Sequence, residues 1–276
     1  MSSYAIGLLV LLSLNVIGAY AVYLPLAAGQ LNLGIAGFMA VGAYGAAYLT
    51  NEFSWPILWA VLMGGLLAGL VGLVIALPIL RTEGIYLALA TFSLGQVIVA
   101  LFLNTEAVGG AAGYPVYEYL SSEYIIIAAV LIVLLMLLLA STRFSVYLTA
   151  IKNDAVVTDL MGVRVTALRV AALTIGAVIA GIGGGLYAHH FGFVEVSYFS
   201  VLLSIYTVLF VLLGGVQTVW GPLVGALFFT YVPELLRAGE EWRYFIFALF
   251  IIGFMAIRPQ GIVTASMLQR VLYRSK

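Results

Sequence analysis

Residues 141–169 read STRFSVYLTAIKNDAVVTDLMGVRVTALR and form the only long polar interval in an otherwise apolar sequence. The interval carries four basic residues, Arg143, Lys152, Arg164 and Arg169, and two acidic ones. Basic residues concentrate in short loops on the cytoplasmic side of a membrane, because their translocation across the bilayer is disfavoured. We therefore expect this interval to face the cytoplasm and to fix the orientation of the segments on either side.

The middle of the interval predicts a short amphipathic helix. Val156, Val157, Leu160 and Met161 recur at the spacing of one helical face. Gly162 follows directly and is predicted to end the helix. The pattern alone leaves two interpretations open, a connector that rests on the lipid headgroups and a contact surface for a second protein.

The composition indicates an integral membrane protein with a single membrane domain over residues 1–276. Of the 276 residues, 64% are hydrophobic and 8% are charged, whereas soluble domains contain about 25% charged residues. The net charge is zero, which gives no indication of a nucleic-acid partner. The absence of cysteine excludes disulfides and thiolate metal sites. The length accommodates about eight or nine crossings of about 20 residues each.

Two apolar stretches are too irregular to form single straight helices. Residues 25–34 combine a proline, two glycines and two amide side chains, and Pro25 is expected to end the preceding span. Residues 201–232 are too long for one tilted helix and are interrupted at 213–215 and 221–222, which favours two half-length helices. Irregular backbone at membrane depth requires protein or water around it, so we expect both breaks to lie inside the protein.

The basic carboxy-terminal tail is expected to lie inside. Counting alternate crossings backward from that tail places the amino terminus outside. Residues 104–123 contain three glutamates and no basic residue, as expected for an outer loop, and residues 189–200 and 233–243 form further outer loops. The apolar start lacks a basic region of the signal-peptide type and is predicted to remain as a span. His189 and His190 would point about 100° apart on a helix, which favours polar anchors over a metal site.

Two stretches share a sequence pattern that suggests a parallel internal repeat. Gln30 and Gln217 are each followed by a glycine four residues later, inside a broken apolar segment. The pattern R-x-x-G-I also occurs twice, at residues 81–85 and 258–262. Coincidence is the alternative, because glycine is abundant in this chain. A true repeat with broken helices in corresponding positions would mark a translocation path.

No catalytic constellation is found: the sequence has no phosphate-binding loop, no H-E-x-x-H motif and no carboxylate inside a predicted span. An ion-coupled carrier usually keeps ionisable groups in its membrane core, whereas an importer driven by a separate ATPase needs none. Intramembrane amides and hydroxyls are therefore the candidates for a path, with interhelical hydrogen bonding or, for the tyrosine, aromatic packing as the alternative. The candidates are Gln30, Asn32, Tyr86, Thr91, Ser93, Gln96 and Gln217.

Five motifs carry a family resemblance. Ala150-Ile-Lys-Asn-Asp-Ala followed by Gly162 is similar to the coupling-loop motif of ABC-importer permeases. The other four resemble the permease subunits of high-affinity branched-chain amino acid importers, a family that also includes urea and other small-solute importers. They are Gly29-Gln-Leu-Asn-Leu-Gly, Arg81-Thr-Glu-Gly-Ile-Tyr-Leu-Ala-Leu-Ala-Thr, Leu213-Gly-Gly-Val-Gln-Thr-Val-Trp-Gly-Pro and Arg258-Pro-Gln-Gly.

The resemblance implies an all-α polytopic fold with two broken or short helices. It also implies a second homologous permease, two cytoplasmic ATPase subunits and an extracytoplasmic solute-binding protein as partners, in the cytoplasmic (inner) membrane of a bacterium or archaeon. No cofactor is expected on this chain, since ATP and magnesium would be held by the ATPase subunits. The residues expected to contact the ATPase are Lys152, Asn153, Asp154, Ala155, Val156, Val157, Asp159, Leu160, Met161 and Gly162.

Three functions are open, and none of them is enzymatic. The first is the permease subunit of an ATP-driven importer for branched-chain or other small amino acids. The second is a passive channel or facilitator for a small neutral solute such as urea, and the third is a membrane scaffold with no transported ligand. Uptake that requires ATP and a binding protein would distinguish the first from the others.

Overall fold

The computed structural model describes residues 3–79, 82, 84–236, 243–258 and 260–264. These residues form α-helices joined by short 3₁₀ turns and one pair of two-residue strands, which confirms the predicted all-α polytopic fold. The helices are α1 (Ser3–Ala27), α2 (Ile35–Phe53), α3 (Ile57–Ile79), α4 (Ile85–Leu103), α5 (Ser122–Ser141), α6 (Arg143–Asn153), α7 (Ala155–Leu160), α8 (Val165–Phe191), α9 (Val201–Gly214), α10 (Trp220–Leu235) and α11 (Arg243–Ile257). Strands β1 (Tyr114–Pro115) and β2 (Phe193–Val194) pair antiparallel.

Five of the described helices, α1, α3, α4, α5 and α8, are long and apolar enough to cross a membrane. Helix α9 is apolar but has 14 residues, which span about 21 Å at 1.5 Å per residue. A bilayer core is about 30 Å thick, so α9 and α10 act as half-length helices that meet at a break. This agrees with the sequence-based interpretation of residues 201–232.

Helices α2, α3 and α8 pack through glycines at the centre of the fold. A Cβ atom placed at Gly64 of α3 would lie 2.6 Å from the carbonyl oxygen of Gly42 in α2, and one at Gly181 of α8 would lie 2.9 Å from the Cα of Gly65 in α3. We call these four residues the glycine seam. Small residues let helix backbones approach closely, and this packing drives helix association in lipid.

The break between α1 and α2 lies inside the protein, as predicted, but Pro25 does not end α1. The helix continues to Ala27. A proline removes its own amide donor and crowds the carbonyl four residues before it, but its own carbonyl can still accept. The Pro25 carbonyl accepts from the amides of Ala28, at 3.0 Å, and Gln30, at 2.9 Å. Gly29 then turns the chain with φ +77°, a conformation that favours glycine.

The second break runs from Gly215, with φ +116°, to the start of α10. The carbonyls of Leu213 and Gly214 at the end of α9 accept from the amides of Ile262, at 2.8 Å, and Val263, at 2.9 Å. This contact satisfies carbonyls that a helix end leaves without partners. Contrary to the prediction, residues 221–222 lie in the first turn of α10 rather than in the break; proline is tolerated there.

Contacts at the two ends of the described helices agree with the predicted alternation of spans. At one end, the Asn51 amide donates to the Pro115 carbonyl at 2.7 Å, and the Tyr4 hydroxyl donates to Glu234. At the other end, Gly29 lies against Lys152: a Cβ placed at Gly29 would be 3.5 Å from the Lys152 Cα. Several predicted determinants, Arg81, Arg270, Arg274, Lys276 and residues 237–242 of an outer loop, lie outside the described residues.

Candidate functional site

The predicted amphipathic segment forms the short helix α7, preceded by the separate helix α6, which the sequence did not predict. Lys152 and Asn153 end α6, and Asp154 forms the junction. One Asp154 carboxylate oxygen accepts from the amides of Val156 and Val157, both at 3.0 Å. This is an N-cap, which satisfies amides that have no partner within the helix.

Two further contacts fix α7. The Thr158 hydroxyl is buried and donates to the Asp154 carbonyl at 2.6 Å. Gly162 follows in the left-handed conformation, φ +84°, and its amide donates to the Asp159 carbonyl at 2.9 Å. A helix of six residues is marginal in isolation. Here the caps at both ends stabilise the helix, and the buried Thr158 side chain packs it against the rest of the protein.

The apolar stripe of α7 faces away from the part of the chain that the structure describes. The side chains of Leu160 and Met161 are 81% and 79% exposed, and Val156 and Val157 are also exposed. Isolated apolar residues on a surface are common, but four of them on one short, capped helix make a contiguous patch. This patch is suited to contact with a partner or with lipid headgroups.

The first break holds two predicted path residues in a buried position. Gln30 is 2% exposed and Asn32 is 1% exposed. The Asn32 side-chain oxygen accepts from the Gly34 amide at 2.8 Å. Among the described residues, neither polar atom of the Gln30 side chain nor the Asn32 side-chain nitrogen has a hydrogen-bond partner, although all three are buried. A buried polar group without a partner costs about 1–3 kcal/mol, so these atoms are suited to bind water or a polar solute.

Hydroxyls from two other helices stabilise the backbone of this break. Thr91 of α4, a predicted path residue, accepts from the Leu33 amide and donates to the Leu87 carbonyl, both at 3.0 Å. Ser204 of α9, which the sequence did not predict as a site residue, accepts from the Ala36 amide at 3.0 Å. Ser204 thereby satisfies an amide of the first turn of α2. A hydroxyl in an apolar run was the available signal, but it did not identify the partner helix.

A cavity of about 380 Å³ connects the second break with the helices before α7. Gln217, from the break, lines it together with Lys152 and Asn153 at the end of α6. Partial burial lowers the pKa of Lys152 from its ordinary value of 10.5. The structure therefore brings a predicted path residue together with two predicted coupling residues.

The three remaining path candidates lie on α4, and no hydrogen bond among the described residues joins their side chains to either break. Tyr86 is 71% exposed and Ser93 is also exposed. Gln96 is half-buried and lines a separate cleft at the outer end of α4. The structure groups Gln30, Asn32 and Thr91, and it does not bring Tyr86 and Ser93 to them. Their role in a path stays a prediction.

The two adjacent histidines have different partners. His189 is buried; its Nδ1 donates to the Gly185 carbonyl at 2.8 Å, and its Nε2 lies 3.1 Å from the Thr50 hydroxyl. His190 donates from Nδ1 to the Leu120 carbonyl at 3.0 Å. His189 is thus a core residue that joins α8 to α2, rather than an anchor at the outer interface.

The sequence is similar to known transport permeases. A family model described as the permease component of branched-chain amino acid transport systems matches residues 4–257. The high-affinity branched-chain amino acid transport system permease proteins LivM of Salmonella typhimurium (strain LT2) and Escherichia coli (strain K12) are each 26% identical over 274 residues. The alignments cover 85% of this chain and 64% of each relative's length. No solved structure matches the chain.

Proposed function

Because the chain belongs to the family of permease components of branched-chain amino acid transport systems, we propose that it is the membrane-spanning permease subunit of an ATP-driven importer. Its solutes are branched-chain or other small amino acids, and it acts in the cytoplasmic (inner) membrane of a bacterium or archaeon. The relatives are transport permeases and not enzymes. ATP and magnesium belong to partner subunits, and this chain binds no cofactor.

The observation that carries the proposal is the form of α7. A flexible tether cannot transmit a movement, whereas a capped helix with a buried anchor can. The Asp154 cap and the buried Thr158 side chain provide this stiffness, and the exposed Leu160 and Met161 provide an apolar surface for a groove on an ATPase. Lys152 and Asp154 set the polar register of the contact.

We propose the remaining partners from the family to which the chain belongs. A second homologous permease completes the membrane part, two ATPase subunits bind the cytoplasmic face, and an extracytoplasmic solute-binding protein binds the outer loops. The two breaks, α1–α2 and α9–α10, give the path its polar contacts, with Gln30, Asn32 and Thr91 at the first and Gln217 at the second. Irregular backbone beside a half-helix is where transporters bind their solutes.

The test is the substitution Leu160→Asp in the complete complex reconstituted in proteoliposomes. A charge on the exposed apolar stripe has to be desolvated in the groove, so we expect loss of ATPase binding and of solute-stimulated ATP hydrolysis. ATPase binding is measured by co-purification, and hydrolysis by phosphate release. Uptake of labelled leucine is followed with and without ATP.

The matched control is Tyr117→Asp, which places the same charge on an exposed residue of the opposite face. This variant should bind the ATPase subunits normally. If Leu160→Asp leaves both assembly and stimulated hydrolysis intact, α7 is not the coupling helix. Leucine uptake by the wild-type chain without ATP or binding protein would instead identify a facilitator.

A further inference from the structure

A second cleft, of about 450 Å³, lies at the outer end of α4, beside the segment that leads from α8 into α9. Its volume falls in the range of small-molecule sites, about 300–1,000 Å³. Its walls are mostly aliphatic, with Val99 and Leu103 from α4 and Val201 and Leu202 from α9. This composition, apolar with a few polar groups, is typical of a site for a small amphipathic ligand.

The polar groups of the cleft are one carboxylate and three neutral donors. Glu195 is half-buried, and its Oε1 accepts from the Ser197 hydroxyl at 2.6 Å, which fixes the carboxylate and leaves other lone pairs open. Gln96 has no hydrogen-bond partner among the described residues. Ser200 stands at the N-cap of α9, but its side chain makes no cap hydrogen bond.

The charge balance of the cleft selects the kind of ligand. Among the described residues that line the cleft, Glu195 is the one ionisable group, and none is a lysine or arginine. A carboxylate in a mostly apolar wall favours a cation, because opposite charges attract more strongly where water is partly excluded. A simple anion is disfavoured there, and a solute without a cationic group gains nothing from the charge.

We propose that this cleft is an outward-facing binding site for a zwitterionic amino acid with an aliphatic side chain, an inference that rests on the proposed import function. Glu195 binds the ammonium group of the solute. The Gln96 amide and the Ser200 hydroxyl donate to its carboxylate, and the aliphatic side chain packs against α4 and α9. The site lies at the outer end of the chain, where a solute arrives before it crosses.

The test measures binding to the purified full-length chain in lipid nanodiscs by saturation-transfer difference NMR, which detects weak ligands. The probes are L-leucine and 2-hydroxy-4-methylpentanoate, which replaces the ammonium group with a hydroxyl. We expect leucine to bind and the hydroxy acid to bind much more weakly. Glu195→Gln should weaken leucine binding about tenfold or more, as the loss of a charge-assisted hydrogen bond predicts.

The matched control is Glu106→Gln, which removes an exposed carboxylate of the outer loop and should leave leucine binding unchanged. A second variant, Gln96→Leu, tests the other end of the ligand: it should weaken binding of leucine but not of 3-methylbutylamine, which keeps the ammonium group and the aliphatic side chain but has no carboxylate. Equal leucine affinity in wild type and Glu195→Gln, or no leucine binding by wild type, overturns the proposal. ATP-driven uptake by the wild-type complex tests the proposed function separately, since it can persist when this site fails.

Discussion

Replacing Asp154 with alanine removes the carboxylate oxygen that accepts from the amides of Val156 and Val157, both at 3.0 Å. Loss of an N-cap costs about 1 kcal/mol, with a range of about 0.5–2 kcal/mol. Helix α7 has six residues, so little else compensates within the helix. A change of about 1 kcal/mol corresponds to about a fivefold increase in the unfolded population of α7.

Hydrogen–deuterium exchange followed by mass spectrometry measures this opening directly. The amides of residues 156–161 should exchange about fivefold faster in Asp154→Ala, since local opening limits their exchange. Stimulated ATP hydrolysis should fall in parallel, because a frayed helix transmits less of the movement. Exchange in α8 should not change.

Two control variants distinguish the effect of the N-cap hydrogen bonds from the effect of the negative charge. Asp154→Asn keeps an acceptor at the N-cap and should exchange nearly as slowly as the wild type, since asparagine and aspartate cap almost equally well. Asp159→Ala removes the other carboxylate of α7, which is not its N-cap. If Asp154→Ala exchanges at the wild-type rate, or if Asp159→Ala accelerates exchange equally, the cap does not hold α7.

Further predictions concern stability and pH. Ser204→Ala leaves a buried amide of α2 unpaired and should destabilise the protein by about 1–3 kcal/mol, lowering its Tm, whereas Ser93→Ala, on an exposed face, should not. Gly42→Ala places a Cβ against the α8 backbone and should destabilise by about 1–3 kcal/mol or more, while Gly7→Ala, with open space around its Cβ, should be tolerated. Burial lowers the pKa of Lys152, so between that lowered pKa and 10.5 the folded state binds fewer protons than the unfolded state. Relative to Lys152→Met, the Tm of the wild type should therefore rise as the pH increases through this window.

Features set by neighbouring residues were predictable from the sequence. Gly29 and Gly215 mark both breaks because each adopts a positive φ that other residues rarely adopt. Asp154 and Gly162 similarly bound α7 by local capping. Pro25 is an exception. The local preference of proline predicted the end of α1 there, but the helix continues for two more residues inside the protein.

Features set by contacts between distant residues were not predictable. Ser204 caps a helix 168 positions away in the chain, and nothing near Ser204 identifies that partner. The separate helix α6 was missed because its mixed sequence gave no clear apolar period. Tyr86 and Gln96 lie on one helix, yet only the packed structure shows that the tyrosine is exposed and the amide lines a cleft.

The glycine seam also bears on how the protein responds to temperature. The heat-capacity change of unfolding arises from exposing apolar surface to water. Helices separated within a bilayer expose their surfaces to lipid instead, so van der Waals contact and not water release holds Gly42 against α3 and α8. Parting these helices in the membrane should therefore have a heat-capacity change near zero, and their association should not weaken on cooling.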